Sequence, residues 1–507
     1  MPGIQIPSFP VPGRNRREAE EDDAAIKEEE DDEQAKARAG REGEVDDAAG
    51  SGEPPEMLDV IEKIEEAKGD VAALVAAMSD LYRRLRLTPK DRDLFSDFEG
   101  CAHLCSGLAA APVEWKGEAM LAFCKVVPEI CRTSNLNRGA LREGGVIEPL
   151  VTMLREAVTA EDEVSTAAAC VGITALCTAN DGNKKDAAKL RGDFNDEELA
   201  VTNADYNTPL FKAPEGGGAL DILLEALATF PKSVAVQTQA CGALRTLLCD
   251  DDTRQASCVP SAVENRERAV KDEFFPAYRL ACQRALQLDA GDPSAKPSQR
   301  LREQAMLLLR ELAVRQDRIK QLVYEAKFMP VMEAALKEAD ERLVRAALAV
   351  IRAFAFSDEL KEVIAVETDV AARCVVSVRK HAKSAAIVEQ GFGLFANLTM
   401  RKPHIATKLN GGDFRVFAVG QMVLQHHKNN PNVIKSVLQT MRNVATQDET
   451  AATEVKESDL IEDMRQIVLT HGEDGRWRSP VEIAKQFLRE FRMDDGIRKA
   501  AEWNEYY

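Results

Sequence analysis

Asn137-Arg138-Gly139-Ala140-Leu141-Arg142-Glu143-Gly144-Gly145-Val146-Ile147-Glu148-Pro149-Leu150-Val151 is the stretch on which the fold turns. A short helical run ends at a glycine able to take positive φ, where any side chain would be strained. The chain then turns, and a second helix begins with proline near its first turn, where the missing N–H costs nothing. Related junctions are Gly217-Gly218-Ala219-Leu220, Ala326-Lys327-Phe328-Met329-Pro330-Val331-Met332 and Gly411-Gly412-Asp413-Phe414.

Between these corners a second module recurs near the end of a long apolar helix. It reads Leu244-Arg245-Thr246-Leu247-Leu248, Leu309-Arg310-Glu311-Leu312-Ala313, Ile351-Arg352-Ala353-Phe354-Ala355, Phe395-Ala396-Asn397-Leu398-Thr399 and Met441-Arg442-Asn443-Val444-Ala445, with a weaker copy at Ile173-Thr174-Ala175-Leu176-Cys177. The last four copies are 42, 44 and 46 residues apart, a period of two- or three-helix repeats. Two linked modules in constant order distinguish a repeat array from a generic helical bundle. The earlier copies are 71 and 65 residues apart, which places insertions at 178–216 and 250–300. The first carries Asp193, Asn195, Asp196, Tyr206 and a triple glycine, and the second Asp250-Asp251-Asp252 and a proline-broken stretch at 291–299. Loops of such length usually project from one edge of an array.

Composition agrees. Aromatic residues are 5% of the 507, and Ala and Leu dominate the apolar set. These are helix formers, whereas sheets favour aromatic and β-branched residues. Val75, Met78, Leu81, Tyr82 and Leu85 recur at three- and four-residue steps, the signature of one helix face. Similar stripes continue to about residue 492, and no segment alternates with period two. The expected fold class is therefore all-α, an armadillo/HEAT-type right-handed α-solenoid. It would span residues 57–495, followed by a short tail at 496–507. Ser479-Pro480-Val481-Glu482 reads as a capping box opening a terminal helix through Ile483, Ala484, Phe487, Leu488 and Phe491, which would close the array.

Net charge is −19. Residues 1–55 hold 16 acidic and 7 basic side chains, a net −9, with the run Glu28-Glu29-Glu30-Asp31-Asp32-Glu33. Such a segment buries too little apolar surface to offset its ordering entropy, so 1–56 is expected to be a disordered acidic tail. It reads as a solubilising tail before it reads as a docking arm. The negative balance argues against nucleic acid and anionic membrane as partners, since both recruit clustered Lys and Arg. The N-terminus has no apolar signal core, and residue 2 is proline, which excludes myristoylation. The expectation is a cytoplasmic protein, with nuclear entry left open by Arg14, Arg16 and Arg17. There are 11 cysteines and no Cys-x-x-Cys pair. Cys124, Cys170, Cys177, Cys241 and Cys374 lie in apolar helical runs, where a reduced thiol acts as a small hydrophobe.

The chain resembles the armadillo repeat superfamily and, more narrowly, the armadillo repeat-containing protein 6 family. The narrower likeness rests on Ala243-Leu244-Arg245 with Asp250-Asp251-Asp252-Thr253-Arg254, on Met400-Arg401-Lys402-Pro403, and on Val481-Glu482-Ile483-Ala484-Lys485 with Leu488-Arg489. It covers roughly residues 58–495. It implies a third helix in each repeat lining a concave groove, and a protein partner rather than a reaction. By resemblance to catenin-type grooves, Arg245, Arg310, Arg352, Asn397, Arg442 and Asn443 would form a ladder. The Asn side chains would bond the backbone of an extended peptide and the Arg side chains its carboxylates. The competing reading is that these Arg residues pair with acids of neighbouring repeats on a solvated face. Import-receptor grooves add a Trp four residues before the Asn; here those positions are Gly393 and Gln439. Recognition of basic import signals is therefore not expected.

Catalytic and metal readings are weaker. Cys101, His103 and Cys105 are close, but further zinc ligands do not follow at finger spacing, and burial is the simpler reading. His426-His427 adjoins Lys428-Asn429-Asn430-Pro431 and reads as loop. Gly391-Phe392-Gly393 lies inside a repeat helix and reads as close packing. No phosphate-loop, dinucleotide or nucleophile-elbow fingerprint occurs, so no metal, cofactor or small-molecule substrate is inferred. The expected function is non-enzymatic: a scaffold or adaptor gripping an extended or helical, acidic protein segment. The alternatives are an enzyme subunit or regulatory factor acting through the 250–300 insertion and, less favoured, a nucleic-acid-binding solenoid.

Overall fold

The computed structural model describes residues 56–67, 69–112, 116–189, 213, 217–252, 260–271, 274–287, 298–412 and 414–492. The acidic tail, the terminal residues 496–507, most of 190–216, and residues 253–259 and 288–297 lie outside the described residues. Among those described, the structure is helical with no strand.

Helices come in triplets of short, medium and long elements. The first compact unit ends at Val416. It opens with α1 (Met57–Glu66) and the long α2 (Val71–Leu87). Five full triplets follow: α3–α5 (Asp91–Asp97, Gly100–Ala110, Lys116–Cys131), α6–α8 (Asn135–Glu143, Ile147–Thr159, Glu163–Cys177), α9–α11 (Asp181–Ala188, Ala219–Thr229, Val234–Leu248), α12–α14 (Ser261–Ala269, Phe275–Gln287, Gln299–Ala313) and α15–α17 (Asp317–Glu325, Met329–Ala335, Glu341–Phe354). In the next, α18 (Asp358–Glu362) runs on through a π-helical turn (Val363–Glu367) before α19 (Val370–Lys380) and α20 (Ala385–Thr399). The helix α21 (Pro403–Asn410) closes the unit. The second unit holds the rest of α22 (Val416–His426), then α23 (Pro431–Ala445), α24 (Glu449–Glu457), α25 (Leu460–His471) and α26 (Arg478–Glu490).

The third helices carry the core of the first unit. Each packs on the next: α2 on α5, α5 on α8, α8 on α11, α11 on α14, α14 on α17 and α17 on α20. They start at side-chain caps: Asp70, Asp162, Ser233, Ser298 and Asp340 each accept a backbone N–H from the first turn. They end at a left-handed corner. Thr133, Ala179, Arg315 and Arg401 each sit two residues past a third helix with φ between 47° and 60°. Along α17, Leu343, Val344, Ala346, Ala347, Leu348, Val350, Ile351 and Phe354 are all buried, so apolar groups surround most of the helix.

The 250–300 segment is not a loop insertion. It contains α12 and α13, the first and second helices of an ordinary repeat, and the long spacing arises in the connections around them. The acidic triplet that opens it is structural. Asp251 accepts from the Lys184 ammonium, whose side chain is wholly buried, and from the Ala179 N–H at 3.1 Å. Asp252 accepts the Asp181 N–H at 2.9 Å, and Asp181 in turn accepts Ser261 N and Ala262 N at the start of α12. The terminal helix also departs from expectation. It begins at Arg478, behind a 3₁₀ turn (Gly475–Trp477) whose Asp474 accepts from Arg476 N; Ser479 is not the cap.

A recurring feature of the first helices escaped the sequence reading. Arg92, Arg138, Lys184, Arg266, Lys320 and Lys361 occupy one equivalent position and are all buried. Arg92 Nε donates to the Glu129 carbonyl at 2.7 Å, Arg138 Nε to the Ala175 carbonyl at 3.2 Å, and Lys184 Nζ to the Cys249 carbonyl. Each acceptor lies at or near the C-terminus of the third helix of the same triplet. Arg266 instead reaches back to the Leu248 carbonyl at 2.8 Å, and Lys320 and Lys361 bond Asp317 and Asp358 of their own helices. One residue earlier, Asn137, Asn183 and Asn265 donate to Ile130, Leu176 and Leu247, the penultimate carbonyls of the preceding third helices. Helix C-termini leave carbonyls unpaired and carry negative dipole charge, so a buried cation there satisfies both needs.

Removing that cation strands its carboxylate partner. Lys184→Ala is expected to lower unfolding free energy by about 3 kcal/mol, read from chemical denaturation; unchanged stability would contradict the role given to the ladder. Gly391→Ala places a Cβ 2.2 Å from Cγ2 of the stiff, buried Val378. It should cost about 1–3 kcal/mol by overpacking.

Candidate functional site

The inner surface is built from third-helix residues that point away from the core. Arg245, Arg310 and Arg352 occupy equivalent places on α11, α14 and α17, one turn before each helix ends. All three are half-buried. Arg245 Nη1 donates to Gln304 Oε1 at 3.4 Å, and Arg352 Nη1 to Gln390 Oε1 at 3.2 Å. Gln304 and Gln390 lie on α14 and α20, the third helices next in line. Arg310 Nη2 lies 2.6 Å from Oε1 of the adjacent Glu311. Burial pushes the Glu311 carboxyl up, against the opposing pull of Arg310, Arg266 and Arg245. Burial likewise lowers the Arg352 guanidinium, with Glu389 acting the other way and Arg310 adding to the fall.

Gly393 explains the missing aromatic. A Cβ at this position would stand 2.5 Å from Cζ of Arg352. The guanidinium lies over α20 at this glycine, so a larger residue here would have to displace it.

Asn397 is 7% exposed. Its Nδ2 donates to the Arg352 carbonyl at 3.3 Å, which ties α20 to α17. In the second unit Arg442 is held in a two-pronged ion pair with Glu490, Nε to Oε2 at 2.8 Å, and that hydrogen bond raises its pKa. Asn443 Oδ1 accepts from Gln439 Nε2 at 2.9 Å. The candidates therefore differ in chemistry. Arg245 and Arg352 are held by neutral amides, whereas Arg310 and Arg442 are held by carboxylates.

No cluster of three or more His, Cys, Asp or Glu side chains with metal-binding geometry occurs among the described residues. Cys101 and Cys105 are buried, and Cys101 Sγ lies 3.7 Å from Asn137 Oδ1, inside the packing of first and second helices. His426 ends α22 and His427 follows it. No described helix is long and apolar enough to cross a membrane.

Stacked third helices flanked by shorter first and second helices, with left-handed corners between repeats, define an armadillo-type α-solenoid. A solved structure concerning the phosphorylation switch that controls the interaction between cadherin and β-catenin matches over 86% of this chain and 76% of its own, with 16% identity and a TM-score of 0.51. An engineered protein matches at 15% identity over 85% of this chain and 99% of its own, with a TM-score of 0.48. A designed armadillo repeat protein in complex with the peptide (KR)4 matches at 17% identity over 59% and 100%, with a TM-score of 0.38. No protein-family model and no curated protein matches the chain. The first of these likenesses supports the fold.

Burial governs the thiols. It pushes Cys105 and Cys249 up to about 11 and Cys124, Cys131, Cys177 and Cys241 up to about 12, and raises Cys101, Cys170, Cys282 and Cys374 as well. Thiolate is the reactive form. At pH 8 the native chain should therefore leave these ten cysteines unlabelled by iodoacetamide over a time in which the denatured chain is alkylated throughout. Peptide mass mapping reads the outcome.

Proposed function

We propose that the chain is a non-enzymatic scaffold that binds an acidic, extended protein segment along its third helices, with Arg245, Arg310 and Arg352 as the principal contacts. The observation that carries this is the partnering of Arg245 and Arg352 by Gln304 and Gln390. An amide orients a guanidinium without cancelling its charge. The planar fork is then held at low entropy cost, facing outward, and suited to two-pronged bonds with a carboxylate. With Arg310, which the adjacent Glu311 holds, Arg245 and Arg352 recur on consecutive helices about 10 Å apart, a spacing that an extended peptide covers in roughly three residues. The positive charge of these side chains favours acidic over basic segments.

In this reading Asn397 sets the spacing of α17 and α20, and Arg442 serves the packing of α26. The functional array corresponds to residues 57–495, and the narrower kinship is with the armadillo repeat-containing protein 6 family. The two remaining readings, chemistry at 250–300 and nucleic-acid binding, have less support: Asp251 and Asp252 are engaged in packing, and the overall charge is negative.

The test is affinity capture from cell extract with quantitative mass spectrometry. The doubly charge-reversed chain Arg310→Glu/Arg352→Glu should lose its partners by about tenfold or more while retaining a cooperative thermal transition. Capture should also weaken as salt is raised past physiological strength. An identical set of captured proteins from both chains would overturn the groove model.

A further inference from the structure

A second binding element lies at the C-terminal ends of α17 and α20. Phe356 and Met400, each just beyond its helix, are 61% and 46% exposed. They flank a cavity of about 300 Å³ whose wall also holds Lys361, Asn397, Arg401 and Lys402. Large apolar side chains this open, set beside a cavity, are a mark of an interaction surface.

The buried cation at this cavity has only an exposed partner. In the first three repeats the buried basic residue of the first helix reaches a backbone carbonyl at the end of the following third helix, as Arg92, Arg138 and Lys184 do. Lys361, whose side chain is only 8% exposed, bonds Asp358 of its own helix at 3.0 Å, as Lys320 bonds Asp317 one repeat earlier. Asp358 is itself 79% exposed, so water screens the pair. Lys402 is held at 2.9 Å by Glu362, which also meets His404, and Arg401 is exposed. Three cations thus face two carboxylates around an apolar mouth.

We propose that this cavity is an anchor pocket for an acidic peptide segment: an aromatic or long aliphatic side chain of the partner enters between Phe356 and Met400, and an adjacent Asp or Glu meets Lys361 and Arg401. The inference rests on the groove reading above and specifies the partner. The pocket adjoins the ladder through Asn397, which lines the cavity and bonds the Arg352 carbonyl. A peptide leaving Arg352 would reach the pocket without a break. Apolar anchors in pockets supply most of the affinity at protein interfaces, while charges at the rim supply register.

The experiment pans a display library of random twelve-residue peptides against the full-length chain and measures the enriched peptides by fluorescence anisotropy. Enriched sequences should pair an aromatic or aliphatic residue with neighbouring acids. They should bind Phe356→Ser/Met400→Ser about tenfold or more weakly. Both replaced side chains are exposed, so the thermal transition of this variant should match that of the parent, and Arg401→Glu gives an independent check with apolar contacts intact. If the peptides lose Arg310→Glu/Arg352→Glu but keep the serine variant and Arg401→Glu, the pocket is refuted and the ladder stands. If they lose the pocket variants but keep the ladder variant, the pocket stands and the ladder falls. No enrichment, or enrichment of peptides without the acidic–apolar pairing, overturns the pocket.

Discussion

Everything in the first unit depends on what happens where a third helix ends. A helix terminates with carbonyls that its own backbone cannot satisfy, and in a stack of buried helices water is not there to help. The chain answers with side chains from the first helices. Asn137, Asn183 and Asn265 reach back to the preceding helix, while Arg92, Arg138 and Lys184 reach forward. The apolar faces decide that helices stack. These polar ties decide at what depth and register they do so, because a buried cation without its acceptor is costly.

The same logic explains why the arginines of the third helices are not uniform. Arg442 is neutralised by Glu490 and acts as a strut within its unit. Arg245 and Arg352 lean on glutamines, which fix direction and leave charge. How far an arginine's charge is compensated is therefore written in the partner residue rather than in the arginine. Gly393 belongs to the same arrangement, since Arg352 packs so closely over it that a Cβ there would stand 2.5 Å from its Cζ.

The fold was readable because it rests on periodicity and punctuation, both of which survive in a single sequence. The glycine corner at 144–145 and the repeating Leu-Arg-x-Leu module place the second and third helices correctly, and Gly145 takes the expected positive φ of 76°. Reading failed where spacing was the sole guide. Residues 250–300 looked like an insertion because the distance between copies was long, although Asn265-Arg266 repeats the Asn137-Arg138 pattern and marks a first helix. The same pattern at Asn183-Lys184 would have exposed the buried cations, had basic residues been considered as interior. Ser479 misled because a capping sequence is necessary but not sufficient; Asp474 competes for the helix entry by way of a 3₁₀ turn. Arg245, Arg310 and Arg352 were legible as equivalent positions, but their separate partners were not. For Arg245, Arg352 and Arg442 the partner lies some 40 to 60 positions away, whereas Arg310 meets the adjacent Glu311.

The forward-reaching ties carry an implication for how this chain can be cut. Arg92, Arg138 and Lys184 each find their acceptor in a helix translated later, so a fragment ending after any of these first helices retains an interior cation with nothing to hold it. Each of these repeats is completed by its own third helix. Synthesis from the N-terminus would thus proceed with a loose leading edge that firms up only when the next long helix arrives, and splice or protease boundaries are tolerable only behind a third helix. From Arg266 onward the rule lapses: Arg266 reaches back to the Leu248 carbonyl, Lys320 and Lys361 bond Asp317 and Asp358 of their own helices, and the equivalent positions beyond are Ala406 and Ala452. The later repeats are the ones this rule leaves free to be shortened.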